Sequence, residues 1–295
     1  MDLNLNKIFL VLGILITISG VISEANSQSL SDLLEEQNTD IPPPIAALFK
    51  STRIINGHSS KQLNSGELDY RISHRFGQLN SGAYDLYGLD HSTIHLSMEF
   101  SPTDRVMIGF GRSSYQKTVD GYVKIKLAEQ KSQGYGSPVS ITWVSSMEIN
   151  GLRWTEPDRD NLFSSRLGFF HQLLMARKMD RITLQMMPGI FHRNLVRTEK
   201  DYNDLYTIGI GGRYKLTTRF ALTAEYYYVF HSDLPSGGPF YNPLSIGFDI
   251  ETGGHVFQLI FSNSLGMREG AFLGQTTGSW LDGDIHFGFN ISRMF

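Results

Sequence analysis

The sequence predicts an all-β protein: a transmembrane antiparallel β-barrel of about 12 strands that follows an N-terminal signal peptide. Three observations favour this fold class. Long stretches alternate between apolar and polar residues, the connections between them are short at one end and long at the other, and the last stretch ends in Phe295. Alternation with a period of two puts apolar side chains on one face of a strand and polar side chains on the other.

The composition excludes several other classes of protein. The 295 residues are 41% apolar and carry a net charge of −3, which fits neither a disordered chain nor a basic nucleic-acid-binding protein. A mean hydropathy of −0.18 excludes a bundle of transmembrane helices. The absence of cysteine excludes disulfides and thiolate metal sites. We therefore expect no cofactor and no nucleic-acid partner.

Residues 1–27 have the layout of a secretory signal peptide. Lys7 precedes an apolar stretch over 8–22, and Ala25 and Ser27 supply small residues at the −3 and −1 positions of a cleavage site. The alternative is an uncleaved membrane anchor, but the apolar stretch is shorter than the roughly 20 residues of a spanning helix. Together with the barrel pattern, this segment predicts the outer membrane of a diderm bacterium, with membrane lipids as partners.

Residues 28–65 are predicted to form a periplasmic N-terminal segment ahead of the barrel domain, which is predicted over 66–295. Leucines after Ser29 predict a short helix, and three prolines at 42–44 predict an extended spacer. Three alternatives stay open for 45–58: a loose periplasmic tail, a partial plug of the barrel mouth, or an additional strand. The last is disfavoured because an odd strand count is rare in bacterial barrels.

The strands follow from the alternation, which is clearest where Phe220, Leu222 and Ala224 oppose Thr223 and Glu225. The predicted strands are 66–76, 92–101, 105–116, 119–129, 137–149, 162–178, 181–194, 203–215, 219–231, 243–251, 254–264 and 283–295.

The connections between these strands differ in length at the two ends of the barrel. The short turns are 102–104, 179–180, 217–218 and 252–253, and the long connections are 77–91, 150–161, 195–202, 232–242 and 265–282. The exceptions are the short link 117–118 and the seven-residue link 130–136. Short periplasmic turns and long outer loops are typical of outer-membrane barrels. This asymmetry disfavours the alternative of an exported soluble β protein.

Aromatic residues at the ends of the apolar faces predict two interfacial girdles. They are Phe100, Tyr214, Phe220 and Phe295 at one rim, and Phe76, Tyr206, Phe230 and Phe261 at the other. Charged residues on the polar faces are predicted to point into a lumen. These lumen-facing candidates are Glu67, Asp69, Arg71, Arg75, Glu99, Lys124, Lys126, Arg166, Arg213, Glu225, Asp249, Glu251 and Asp284.

The last strand carries an apolar row of Phe287, Phe289, Ile291 and Phe295. This row resembles the C-terminal strand of outer-membrane barrels, and the resemblance implies an assembly signal read by the barrel-assembly machinery. The stretches 66–77, 109–114 and 276–280 resemble a family of bacterial outer-membrane β-barrel proteins of unknown activity. The likeness extends from Phe49 to Phe295 and implies fold and location, but no catalytic residues.

The histidines predict no metal site. His91 and His95 are four residues apart, which separates them by about 13 Å along a strand. His74 and His171 fall on the apolar face, where we expect them near a membrane interface. A lipid-facing serine–histidine catalytic pair is the alternative, but the spacing of the sequence ties no serine to either histidine.

Three classes of function stay open. The first is a channel, transporter or receptor barrel that handles a small solute. The second is a structural or surface-interaction barrel in which the loops bind a partner, and the third is a lipid hydrolase. The lumen charges either neutralise each other in a closed interior or line an aqueous path, and a barrel of this size is compatible with both. No catalytic, cofactor-binding or metal-ligating residue is assigned.

Overall fold

The computed structural model describes residues 48–131, 137–196, 198, 201–230 and 239–295. The predicted signal peptide, the short helix and the proline spacer lie outside the described residues. In the part of the chain that is described, no helix is long and apolar enough to span a membrane.

Within these residues, twelve antiparallel strands close into a barrel in which each strand pairs with its neighbours in sequence and β1 also pairs with β12. The prediction of about twelve strands is confirmed. The strands are β1 (Leu68–Gln78), β2 (Ser92–Thr103), β3 (Val106–Ser113), β4 (Val119–Ala128), β5 (Ser140–Ile149), β6 (Leu167–Met179), β7 (Ile182–Arg193), β8 (Asp204–Lys215), β9 (Phe220–Val229), β10 (Leu244–Thr252), β11 (His255–Ser262) and β12 (His286–Met294).

The alternation in the sequence becomes an outer and an inner face of the barrel wall. In β9 the side chains from Ala221 to Val229 alternate strictly, and the even-numbered residues are exposed while the odd-numbered ones are buried. The exposed set is aromatic or aliphatic, so the outer wall is apolar, as a lipid-facing surface must be. The predicted girdle residue Phe230 follows directly after this strand and is 38% exposed.

The strand ends define a short-turn end and a long-loop end of the barrel. Met179 and Ile182 are joined by two residues, whereas β1 and β2 are separated by residues 79–91. Strand β6 starts at Leu167 rather than at 162, because Phe163–Arg166 form a 3-10 turn ahead of it.

Strands β1 and β12 form the seam of the barrel. Ile72 pairs with Ile291, and the His74 ring stacks on Phe289 with centroids 5.2 Å apart. The backbone N–H of Phe295 donates to the carbonyl of Leu68 over 2.8 Å. This pairing satisfies backbone groups that lipid could not hydrate.

The interior of the barrel is filled rather than hollow. The connection between β11 and β12, residues 263–285, folds inward, and we call it the inward loop. It carries a short helix α1 (Glu269–Phe272), all four residues of which are buried. Phe272 packs on Tyr227 with ring centroids 5.2 Å apart, inside an apolar cluster that also contains Ile54 and Phe170. The core of this protein therefore lies within the lumen.

We expect Ile210→Arg to lower the free energy of unfolding by about 2–4 kcal/mol, because Ile210 is 57% exposed in the middle of the lipid-facing side of β8. The matched control is Leu216→Arg. Leu216 is 46% exposed, but it lies in the turn after β8, where an arginine reaches water and should cost about 0–1 kcal/mol. Denaturant titration of protein refolded into lipid vesicles measures both. Equal losses would contradict the membrane placement of β8.

Candidate functional site

Residues 48–65 form a hairpin inside the barrel, which we call the lumen hairpin. Arg53 and His58 bridge its two limbs, and the N–H of Ile54 donates to the carbonyl of Gly57 over 2.8 Å at the tip. Every residue from 51 to 60 is buried. The sequence leaves three alternatives for residues 45–58. In the described part of this range, 48–58, the structure corresponds to the partial plug.

Both limbs of the lumen hairpin reach the short-turn end of the barrel. At the start, the carbonyl of Leu48 accepts a hydrogen bond from Thr183, which lies next to the turn between β6 and β7. At the end, the N–H of Ser65 donates to Asp104 in the turn between β2 and β3. The hairpin therefore enters and leaves the lumen on the same side, and its tip points toward the long-loop end.

The tip of the lumen hairpin binds the carboxylate of Glu225 on β9. The backbone N–H groups of Ile55, Asn56 and Gly57 donate to it over 3.2, 2.7 and 3.0 Å. A side chain at Gly57 would place Cβ only 1.9 Å from the Tyr227 hydroxyl, so only glycine fits this approach. Three charge-assisted hydrogen bonds converge on one buried carboxylate, which makes Glu225 the main anchor of the tip.

Lys124 on β4 binds both limbs of the hairpin. Its ammonium group donates to the carbonyls of Thr52, Ser59 and Lys61 over 3.1, 3.0 and 3.2 Å, and its side chain is fully buried. The three donors of the ammonium are thus satisfied by hairpin backbone. Without the hairpin, these donors would have to be hydrated by water in the lumen.

Three other predicted lumen residues of β1 and β2 also contact the hairpin. Arg71 donates to the hydroxyl of Thr52 over 2.6 Å, and that hydroxyl donates in turn to Glu99. Arg75 donates to the side chain of Asn56 over 2.9 Å. Asp69 lies 3.4 Å from Arg71 and is also buried.

At the short-turn end, Arg213 pairs with two carboxylates of β10. Its guanidinium lies 3.2 Å from Asp249 and 3.0 Å from Glu251. Glu251 also binds Lys50 at the base of the hairpin over 2.9 Å. The lumen charges of this region therefore bind each other and the hairpin base.

The lumen hairpin and the inward loop meet through a chain of charges. Arg53 of the hairpin lies 2.7 Å from Glu269 in α1, and Arg268 lies 3.0 Å from both Glu269 and Asp120 on β4. His95 completes the chain 2.8 Å from Asp120. Because all of these side chains are buried, this chain joins the two fillings of the lumen and fixes both to the wall.

The electrostatics of the chain keep Glu269 ionised. Burial by itself would raise the pKa of Glu269, but the charges of Arg268 and Arg53 outweigh it and hold the pKa below its ordinary value. Burial, followed by the charge of Arg53, lowers the pKa of His58 well below its ordinary value, so this ring is neutral. The hairpin thus presents one cation, Arg53, to the loop.

Several predicted lumen residues lie elsewhere. The prediction of a lumen position within a strand is wrong for Arg166, which ends the 3-10 turn before β6. It is also wrong for Asp284, which lies half-buried in the inward loop and accepts a hydrogen bond from Asn80. In both cases the alternation of the sequence begins before the first residue of the strand. Glu67 precedes β1 and binds Asn64, and Lys126 pairs with Glu129 at the rim.

The long-loop end holds a cavity of about 640 Å³, which we call the vestibule. Its floor includes Glu148 at the end of β5 and Gly270 in α1, and its wall includes Trp154 and Arg166 from the loop between β5 and β6. The Arg166 guanidinium lies 4.0 Å from the centroid of the Trp154 ring. The inward loop therefore separates the vestibule from the lumen hairpin and contacts both.

The outer wall carries a serine–histidine pair that sequence spacing did not reveal. The register of β5 and β6 sets Ser145 opposite His171, with Oγ and Nδ1 3.0 Å apart, and Trp143 stacks on the imidazole. Within the described residues, no carboxylate or amide side chain hydrogen-bonds to this pair. The hydrogen bond satisfies two polar groups on a lipid-facing surface, where each would be costly alone.

A family model described as membrane bound beta barrel domain (DUF5777) matches residues 49–295. The chain belongs to this family. The match covers the lumen hairpin as well as all twelve strands, so the hairpin is part of the DUF5777 domain. A comparison with curated proteins finds no match.

The solved structures that are similar to this DUF5777 chain include two porins and an outer-membrane channel. The NanC porin is 6% identical with a TM-score of 0.46, over 77% of this chain and 98% of its own. The KdgM porin, solved in complex with disordered oligogalacturonate, is 9% identical with a TM-score of 0.47, over 78% and 99%. The COG4313 outer membrane channel from Pseudomonas putida F1 is 11% identical with a TM-score of 0.42, over 80% and 97%. At these identities no residue role is transferred.

The sequence patterns did not single out several residues of the DUF5777 lumen. Asp120 and Glu148 do lie on the polar face of the alternation, which was a usable signal. Arg268 and Glu269 lie in a long connection without periodicity, and Arg53 precedes the barrel, so no pattern marked them. No group of three or more histidine, aspartate or glutamate side chains is arranged to hold a metal ion in the described part of the chain.

Proposed function

We propose that this protein is an outer-membrane channel or transporter whose lumen is closed by the lumen hairpin and opens when the hairpin withdraws. The observation that carries the proposal is the anchoring of the hairpin by polar and ionic contacts to the wall, above all through Glu225 and Lys124. Water can replace such contacts once the hairpin leaves, so withdrawal would convert a closed interior into a wet, charged path.

The placement of the hairpin limbs supports withdrawal toward the short-turn end. Since both limbs reach the short-turn end, the hairpin can leave toward the periplasm without opening the seam between β1 and β12. In this proposal residues 28–65 act as a periplasmic segment that carries the plug. A small solute would then pass from the vestibule, past the inward loop, into the lumen.

Crosslinking between two introduced cysteines tests the proposal. The chain has no cysteine of its own, so only the introduced pair can react. Asn56 and Ser245 touch between hairpin and wall, with Nδ2 and Oγ 3.3 Å apart. Asn56→Cys with Ser245→Cys should therefore lock the hairpin when a short bis-methanethiosulfonate reagent joins the two thiols through reducible disulfides. In planar bilayers under voltage, we expect openings of the uncrosslinked barrel that disappear on crosslinking and return on reduction.

The matched control for this experiment is Ser51→Cys with Ser59→Cys, which joins the two limbs of the hairpin to each other and leaves the wall free. This crosslink should not suppress openings. Openings that survive the wall crosslink would contradict the proposal. A barrel that never opens would favour the second candidate, a surface-interaction protein, which the filled lumen supports.

The C-terminal row gives a separate expectation about the barrel-assembly machinery as a partner. Phe295 is 64% exposed, and its side chain contacts the Arg293 guanidinium at 4.7 Å rather than the core. We expect Phe295→Ala to lower the amount of barrel assembled in cells several-fold and to lower the stability of refolded barrel by less than about 1 kcal/mol. Surface labelling and denaturant titration measure the two. A stability loss as large as the assembly loss would make Phe295 a packing residue.

A further inference from the structure

The wall of the vestibule carries an excess of positive charge. Among the described residues that line it there are four guanidinium groups and two carboxylates. The cations are Arg153, Arg159, Arg166 and Arg193, and the carboxylates are Glu148 and Asp201. Fields from like charges add up inside a cleft, so this wall attracts anions from the surrounding water.

The carboxylates are engaged by backbone groups, whereas two of the arginines are not. Glu148 accepts the N–H of Gly270 at the vestibule floor, and Asp201 accepts the N–H of Thr198. Arg153 and Arg159 are exposed and line the cavity, and among the described residues none makes an ion pair or side-chain hydrogen bond with their guanidinium groups. Their donors therefore face the water of the cavity.

Arg166 is held in one orientation at the same wall. Its Nη1 donates to the carbonyls of Asn150 and Leu152, and its plane lies over the ring of Trp154. A guanidinium fixed in this way offers its other edge as a rigid two-donor fork. Such a fork matches the two oxygens of a carboxylate, sulfate or phosphate group.

Side-chain amides line the neighbouring part of the vestibule. Gln116 donates to Gln275 over 2.6 Å and accepts a hydrogen bond from Asn150 over 3.2 Å. Amide groups supply both donors and acceptors, as the hydroxyl groups of a saccharide require. The cavity volume of about 640 Å³ lies within the range of small-molecule sites.

We propose that the vestibule is a binding site for a saccharide that bears an anionic group, with Arg153, Arg159 and Arg166 as the anion-binding residues. This inference rests on the proposed function, since it names the class of solute that the barrel would take up. The saccharide could be dissolved in water or be the phosphorylated headgroup of a lipid, because both combine hydroxyls with a negative charge.

Binding is measured in detergent micelles through intrinsic tryptophan fluorescence, to which Trp154 in the vestibule wall contributes, so the measurement requires no conduction. The probes are cellobiouronic acid and cellobiose, which differ by one carboxylate. We expect the acid to bind at least about tenfold more tightly than the neutral sugar, and the difference to shrink as salt is added. A second titration with lipid A in mixed micelles asks whether a lipid headgroup is the source of the anion.

The double variant Arg153→Gln with Arg159→Gln should weaken binding of the acidic probe at least about tenfold. Both side chains are exposed, so the barrel should fold normally. The matched control is Arg219→Gln, an exposed arginine in the turn at the opposite end of the barrel. Two results would overturn the inference. In the first, the two sugars bind equally and lipid A does not bind. In the second, an anionic probe binds to the double variant as tightly as to the unchanged protein. If channel openings survive the wall crosslink but the acidic probe still binds, the proposed gating by the hairpin is overturned and the binding site is not.

Discussion

A barrel that begins at Asn64 will conduct ions across a planar bilayer at least about tenfold better than a barrel that begins at Leu48. The first chain lacks all of the lumen hairpin except its last two residues. The second chain keeps the whole hairpin and lacks only the segment that precedes it. Loss of the hairpin empties the part of the lumen that extends from Glu225 and Lys124 to the short-turn end. It also removes Arg53 from Glu269 and so weakens the attachment of the inward loop.

The two truncated chains control for each other, since both lack residues 1–47 and both keep the complete barrel. Circular dichroism and heat-modifiable migration in gels check that both fold. Single-channel recording then compares their conductances at the same voltage and salt. Similar conductances would mean that the inward loop alone seals the lumen, and the role proposed for the hairpin would be wrong.

Glu225→Ala in the full chain is expected to lower the free energy of hairpin opening by about 3 kcal/mol, because three buried N–H groups lose their common acceptor. Hydrogen exchange of the amides of Ile55, Asn56 and Gly57 should then accelerate roughly 100-fold. Amides of the neighbouring strands report on the barrel itself and should keep their protection.

The matched control for this variant is Glu251→Ala. Glu251 also contacts the hairpin, through Lys50, but the pair is partly exposed at the short-turn end, and Arg213 keeps Asp249 as a partner. This substitution should change hairpin opening by less than about 1 kcal/mol. If the two variants accelerate exchange equally, the hairpin is held by charge in general and not by the hydrogen bonds at its tip.

The barrel wall could be predicted from the sequence because its determinants are local. In β9 the alternation of Phe220, Leu222 and Ala224 with polar residues assigns both faces, and the two-residue link after Met179 fixes a tight turn. Errors occurred only at strand ends, as at Phe163–Arg166, where alternation continues by chance into a 3-10 turn.

The filling of the lumen could not be predicted, because its determinants are distant in sequence. Asn56 and Glu225 are separated by 169 residues, and Arg53 and Glu269 by 216. The hairpin has no periodicity, because it is buried on all sides and its backbone is satisfied partly by its own limbs and partly by wall side chains. The charged residues of the wall were visible as a set, but their common partner was not.

The placement of both hairpin limbs at one end has a mechanical consequence. We expect a force that pulls Leu48 toward the short-turn end to load the contacts of the hairpin one after another, first the Thr183 hydrogen bond and the Lys50–Glu251 pair and last the hydrogen bonds to Glu225. The β-ladder of the wall would instead resist the same pull in shear, with many hydrogen bonds loaded together. We therefore expect the resistance of the molecule to depend on where force is applied, with the hairpin leaving the lumen at a lower force than the one that disrupts the closed sheet.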